Sequence, residues 1–321
     1  MSTPHSFLAT PKMTIETLQA FGLHTKKRLG QHFLIDDNVI GRILDAANVG
    51  ESDQILEIGP GIGVLTVALL KQLGEKGRLL ALEYDAQLIE VLQHTTEDSP
   101  KLVILNEDAL KIPQLSLPLQ PTKLIANLPY QVAATNVLDC FEYLPSLLQA
   151  TVMVQREVAE RMAARPGTKA YGAYSAKLQL LARPVGSFAV SRNSFLPPPR
   201  VDSSVITLLR HSAEDSLVTD IDHYRAVAAL IDACFAQRRK TIYNNLRAVE
   251  PNRGVTQHTP QMAECEARGC NDEDLQSIPL LGSADVIKGA LDKAQISPTA
   301  RAETLHPADF VRLQQEISQL P

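Results

Sequence analysis

The sequence predicts an α/β fold: a mostly parallel sheet wrapped by helices, followed by a smaller helical part. Three observations carry this reading. Short apolar runs recur at 55–58, 78–82, 102–105, 124–126 and 150–154, alternating with segments of helical period. Gly59-Pro60-Gly61-Ile62-Gly63 separates the first run from a helical stretch, the strand, glycine turn and helix that bring bare backbone up to a nucleotide-like ligand. Beyond His211 the strand signals stop and helical periodicity takes over.

In chain order, residues 13–21 read as a short helix closed by Gly22. The basic triplet Lys26, Lys27, Arg28 and the stretch Gly30-Gln31-His32-Phe33-Leu34 follow. Asp36 and Asp37 then open a helix to about Ala47, with Val39, Ile40, Ile43 and Leu44 on one face. The glycine turn is spelled E-x-G-x-G-x-G, not the G-x-G-x-x-G of a pyrophosphate site, and Glu57 beside it suits an ammonium or sulfonium. The next strand ends at Glu83, whose carboxylate can take both hydroxyls of a ribose. After a helix over 86–93 and the third strand, Asp108 can accept from an adenine amino group.

The fourth strand runs into Asn127-Leu128-Pro129-Tyr130, at the sheet end where α/β proteins bind ligands. Asn127 offers a neutral acceptor oxygen, Pro129 a carbonyl without an N–H of its own, and Tyr130 a flat face. The set suits a planar ring bearing an exocyclic amine. Further on, helices are expected over 135–143, 155–164 and 170–181, and strands over 150–154, 185–190 and 203–209. The last of these strands is expected at the sheet edge. Arg156 and Arg161 lie on the second of these helices, with Arg165 just past its end. Three prolines, Pro197 to Pro199, cannot join a ladder and are expected to stiffen a loop that holds Phe195. Helices over 221–235, 242–246, 284–293 and 307–318 complete the chain, the last capped near His306 or Thr304. A polar stretch over 251–282 reads as a loop or insert.

With 321 residues, two domains are expected: 1–210 and a helical 211–321 with the polar insert near 250–290. The longest apolar stretch, 64–70, falls far short of the roughly 18 residues a spanning helix needs. The first eleven residues lack the pattern of a secretion signal, so a cytoplasmic protein without a membrane partner is expected. Four scattered cysteines exclude a disulfide framework. Cys265 and Cys270 near His258 lack a second ligand pair, so no metal is expected. A formal charge of −5 argues against a uniformly basic nucleic-acid binder, yet Lys26 to Arg28 and Arg238-Arg239-Lys240 form local cationic clusters.

These blocks, together with Phe195 to Ser203, Asn244-Asn245-Leu246 and Arg301-Ala302-Glu303-Thr304-Leu305, resemble in order those of the small-subunit (16S) rRNA adenine N6,N6-dimethyltransferases. The resemblance spans nearly the whole chain, with His32 standing where that family often has asparagine. It implies a Rossmann-like class I S-adenosylmethionine methyltransferase domain with a small C-terminal helical domain. The implied activity is dimethylation of two adjacent adenosines near the 3′ end of small-subunit rRNA, within the pre-30S or 30S subunit, by a monomer. The implied cofactor contacts are His32, Leu34, Gly59, Gly61, Glu83, Asp108 and Asn127. Asn127, Pro129, Tyr130 and Phe195 would carry catalysis, with Tyr130 and Phe195 sandwiching the base. Lys26, Lys27, Arg28, Arg238, Arg239 and Lys240 would meet rRNA phosphates, with Arg156, Arg161 and Arg165 as further candidates. Two other readings share the scaffold. A large-subunit rRNA adenine dimethyltransferase of the antibiotic-resistance type resembles it less closely, typically carrying isoleucine where this chain has Leu128. The other is a ribosome-assembly or transcription factor that keeps the cofactor cleft without turnover.

Overall fold

The computed structural model describes residues 4–23, 31–248 and 284–319. The chain divides into two compact units, one of residues 1–159 with 183–210 and one of 160–182 with 211–321. The second unit therefore takes in residues 160–182, which the sequence pattern placed ahead of its boundary at 210.

Nine strands are present among the described residues: β1 (Phe33–Leu34), β2 (Gln54–Ile58), β3 (Arg78–Leu82), β4 (Leu102–Leu105), β5 (Lys123–Asn127), β6 (Gln149–Gln155), β7 (Ala182–Val190), β8 (Phe195–Leu196) and β9 (Ser203–Arg210). Seven of them form one sheet in the order β4-β3-β2-β5-β6-β9-β7. The pairs from β4 across to β6 are parallel, and β9 runs antiparallel to β6 from Gln149↔Leu209 to Gln155↔Ser203. From β2 the chain steps outward through β3 and β4, then returns to β5 on the other side. That reversal opens a crevice at the carboxyl ends of β2 and β5, the usual ligand seat of such sheets.

The apolar runs form strands because helices cover both faces, so alternation is replaced by continuous Leu, Ile and Val. Helix α3 (Val64–Gln72) follows β2 and is buried from Val64 to Leu70. Its last carbonyls are met by a lysine: Lys101 Nζ donates to Leu70 O at 3.2 Å and Leu73 O at 2.5 Å, matching a cation to the negative helix end. Helix α2 (Asp37–Ala47) is capped by Asp36, whose carboxylate accepts from Asn38 N, and its apolar face joins α3 and the β1/β8 pair in one core. Helices α4 (Ala86–Thr95) and α5 (Ala133–Tyr143) fall within one or two residues of their expected bounds.

One expectation is corrected. β9 is not at the sheet edge, because β7 lies beyond it and Ser203 to Leu208 are buried. The edge falls to β7, whose exposed middle and Pro184 suit a strand that lacks one neighbour.

The second unit holds helices over Ala173–Leu181, Ile221–Phe235, Ile242–Arg247, Ala284–Lys293 and Pro307–Ser318. Tyr171, Phe235 and Phe310 form its aromatic centre, and the buried Tyr171 hydroxyl donates to Leu305 O at 3.0 Å. Cys140 and Cys234 are buried free thiols, and Cys265, Cys270 and His258 lie outside the described residues. No described helix is long and apolar enough to cross a membrane.

Candidate active site

A cavity of about 270 Å³ occupies the crevice, lined by residues from four successive strand ends: Glu57 and Gly59, Glu83, Asp108, and Asn127 to Tyr130. His32 and Leu34 close it from the N-terminal side. Two features make its glycines obligatory. Gly59 and Gly61 have φ of +68° and +62°, and a Cβ on them would lie 3.3 Å from Pro129 and 3.2 Å from Phe33. The turn is thus wedged between the proline of the tetrapeptide and the aromatic of β1.

Glu83 holds that turn in place. Its Oε2 accepts from Gly61 N at 3.0 Å and its Oε1 from Asp85 N at 2.8 Å. A carboxylate has about four acceptor positions, so each oxygen keeps one for a ligand hydroxyl. Burial raises the Glu83 pKa, and the backbone N–H groups of Asp85 and Gly61 oppose that rise. Asp108 caps the short 3₁₀ turn Ala109–Gln114 through Oδ1 to Leu110 N at 3.0 Å, leaving Oδ2 without a protein partner among the described residues.

Glu57 is the most buried of the three strand-end acids. Only 2 % exposed, it has an Oε2 without a hydrogen-bond partner in the described protein. Burial, reinforced by the nearby Glu83 charge, pushes its pKa up to about 8. Burial thus favours the protonated form of Glu57.

At the end of β5, Asn127 Nδ2 donates to His32 O at 3.2 Å. That bond fixes the amide so that Oδ1 is the atom left to accept. Pro129 O already takes Val132 N at 3.2 Å, and a carbonyl has a second lone pair to offer. The Tyr130 hydroxyl shares a 2.5 Å hydrogen bond with Ser203 Oγ, and its ring stacks on His32 with centroids 5.8 Å apart and planes 25° apart. His32 Nδ1 lies 2.8 Å from Pro197 O, so this imidazole is anchored in the aromatic wall of the cavity.

The structure does not bring Phe195 to the cavity. Phe195 is 2 % exposed, pairs with Leu34 across β1 and β8, and packs in the core with Phe33. The ring that faces Tyr130 is His32, so the expected Tyr130–Phe195 sandwich is replaced by a Tyr130–His32 stack. Lys26, Lys27, Arg28 and Gly30 lie outside the described residues. In the second unit Arg238 is engaged, 3.6 Å from a Glu303 carboxylate oxygen and donating to Lys169 O at 3.0 Å, while Arg239 and Lys240 are exposed. Arg156, in the first unit, lies 3.8 Å from Asp202. Sequence reasoning missed the cavity-lining Gln31, Tyr84 and Asp85, and it missed the role of Ser203. No local pattern marks Ser203, because its partner Tyr130 is 73 residues away.

Two solved structures share this architecture across the chain. A dimethyladenosine transferase from Plasmodium falciparum is 26 % identical with a TM-score of 0.67, covering 90 % of this chain and 98 % of its own. The 23S rRNA methyltransferase ErmE is 22 % identical with a TM-score of 0.60, covering 89 % and 100 %, and at that identity shows the fold alone. Sheet order, glycine turn and strand-end acids thus define a Rossmann-like class I methyltransferase. The sequence profile of the ribosomal RNA adenine dimethylase family matches residues 22–275, and the chain belongs to that family. It is 39 % identical over 311 residues to the ribosomal RNA small subunit methyltransferase A of Thermobifida fusca, with 95 % of each chain covered. It is 38 % identical over 315 residues to the protein of the same name from Shouchella clausii, covering 95 % of this chain and 94 % of the other.

Proposed function

We propose that this protein dimethylates N6 of two adjacent adenosines near the 3′ end of small-subunit rRNA, using S-adenosylmethionine, in the cytoplasm during maturation of the 30S subunit. The observation that carries the reading is the fixed amide of Asn127, with its NH₂ held by His32 O and its oxygen left to accept, in a cavity that Pro129 also lines. The family and the named relatives support the substrate class.

The residues present fit the cofactor. Glu83 keeps two acceptor positions for ribose hydroxyls, Asp108 Oδ2 can take an adenine amino group, and the bare backbone at Gly59 and Gly61 admits close approach beside Leu34. When bound, S-adenosylmethionine supplies an electrophilic methyl group on a sulfonium. The chain's own task is to make the adenine amine nucleophilic. That nitrogen is a poor nucleophile because its lone pair is delocalised into the ring. Asn127 Oδ1 and Pro129 O, each accepting one N6 hydrogen, draw the nitrogen toward a tetrahedral shape and aim its lone pair. The proton leaves after transfer, so the contribution is alignment and fixed dipoles, with no general base of shifted pKa. Tyr130 gives the base a plate, and stacking of this kind is worth about 1 to 3 kcal/mol per base. After the first methylation one N6 hydrogen remains, and either acceptor suffices to hold it.

The test is to incubate the protein with labelled S-adenosylmethionine and either unmethylated small subunits or large-subunit rRNA, and to map the label. Dimethyladenosine at two adjacent small-subunit positions is expected. Label confined to large-subunit rRNA, or no label on any RNA, would overturn the reading.

A further inference from the structure

Tyr130 sits on a turn, beyond the last hydrogen-bonded residue of β5, where no ladder fixes its side chain. Its phenol ends 2.5 Å from Ser203 Oγ. Ser203, by contrast, is held rigidly. It is the first residue of β9, 0 % exposed, paired with Gln155 at the end of a seven-pair antiparallel ladder with β6. Arg156 N extends the ladder by donating to Asp202 O at 3.0 Å. The neighbouring Ser204 points the other way and donates to Phe188 O at 3.0 Å, as strand alternation requires. One hydroxyl of the pair of serines is thus turned toward Tyr130 by the sheet itself.

From this geometry we infer that Ser203 is a positioning residue for the methyl transfer: its hydroxyl sets the plane of the Tyr130 ring against which the target adenine lies. The inference rests on the proposed role of Tyr130 as the base's plate and adds the group that fixes it. Two neighbours complete the frame. His32 bears on the ring of Tyr130, and its own ring is tied to Pro197 O, six residues ahead of Ser203 on the same connection. The segment from Pro197 to Ser203 therefore reaches the plate at its hydroxyl end and, through His32, at the stacked ring. A serine hydroxyl is too weak a base to take the phenol proton, so the bond has no chemical step to perform. Burial holds the phenol's pKa above its ordinary value, against the lowering effect of the Ser203 bond, so the ring is a neutral plate throughout the working pH range.

The pair can be taken apart from either end. Ser203→Ala and Tyr130→Phe each remove one hydroxyl and leave the ring and strand in place. Single-turnover methylation of unmethylated small subunits is measured for each, for the double variant and for Ser203→Thr. Donor affinity is measured by calorimetry, and stacking of the target base by the fluorescence of 2-aminopurine placed at that position in an rRNA fragment. The expected results are a loss of about tenfold in rate for either single variant, no further loss in the double, and weaker quenching of the 2-aminopurine, with donor affinity unchanged. Ser203→Thr, which keeps a hydroxyl, is expected to recover most of the rate. A wild-type rate in both single variants, or losses that multiply in the double, would overturn the inference. If Ser203→Ala does not fold, Tyr130→Phe against Ser203→Thr decides the matter alone. Failure of the underlying reading looks different: Tyr130→Ala would then methylate as fast as the wild type.

Discussion

At the scale of single residues, the site separates two carboxylates that the sequence presents as alike. Both line the cavity, but Glu83 accepts two backbone N–H bonds, whereas Glu57 is 2 % exposed, has an Oε2 without a partner in the described protein and has its pKa raised by burial. Glu83→Ala is expected to weaken S-adenosylmethionine binding by at least tenfold, because it removes both the ribose acceptor and the brace on Gly61; calorimetry giving an unchanged Kd would remove Glu83 from the site. Glu57 makes a prediction about pH. Its folded pKa of about 8 lies above the ordinary carboxyl value of 4.5, so the native state holds a proton that the unfolded chain has released. The stability this confers is complete below about pH 4.5 and is lost as pH rises through about 8, a change of up to about 5 kcal/mol. Glu57→Gln should flatten the dependence between pH 5 and 8 and be the more stable protein at pH 8. Denaturant unfolding at both pH values checks this, and parallel curves for the two proteins would refute it.

At the scale of elements, the β1/β8 pair separates what the sequence could reveal from what it could not. The sheet strands and most helices were legible because continuous apolar runs, the glycine turn and the acidic caps are local signals. Arg78–Leu82, Leu102–Leu105 and Ile221–Phe235 stand where the pattern puts them. The pairing of Phe33 with Leu196 has no local signature. It joins segments so distant that His32 and Pro197, which flank it, are 165 residues apart. Phe195 shows the consequence. An aromatic ahead of three prolines reads the same whether the loop presents it or buries it, and only the long-range pairing turns it into the core. The strand-end acids were legible as a set, but the burial of Glu57, 2 % exposed, depends on packing between distant segments and cannot be read from spacing. Phe195→Ala should therefore cost stability, about 3 to 5 kcal/mol by denaturant unfolding. A variant of wild-type stability that has lost only turnover would restore the ring to the catalytic set.

At the scale of the whole molecule, a chain with formal charge −5 must reach a polyanion through local patches. All three cations of the Arg238 to Lys240 cluster are exposed, but Arg238 is partly committed to Glu303 and Lys169 O, which leaves Arg239 and Lys240 without an ion-pair partner among the described residues. We expect Arg239→Ala with Lys240→Ala to weaken small-subunit binding and to lower the salt dependence of log K by about two, one for each phosphate no longer neutralised. An unchanged salt slope would assign those side chains to solvent. Where the sheet reverses, we propose that a neutral amide oxygen, oriented by the His32 carbonyl, activates an adenine amine by geometry alone. The most direct test is the single-turnover rate of small-subunit rRNA methylation by Asn127→Ala at saturating S-adenosylmethionine. A loss of about a hundredfold or more, with folding intact by thermal unfolding, is the predicted result. A rate equal to that of the wild type would contradict it.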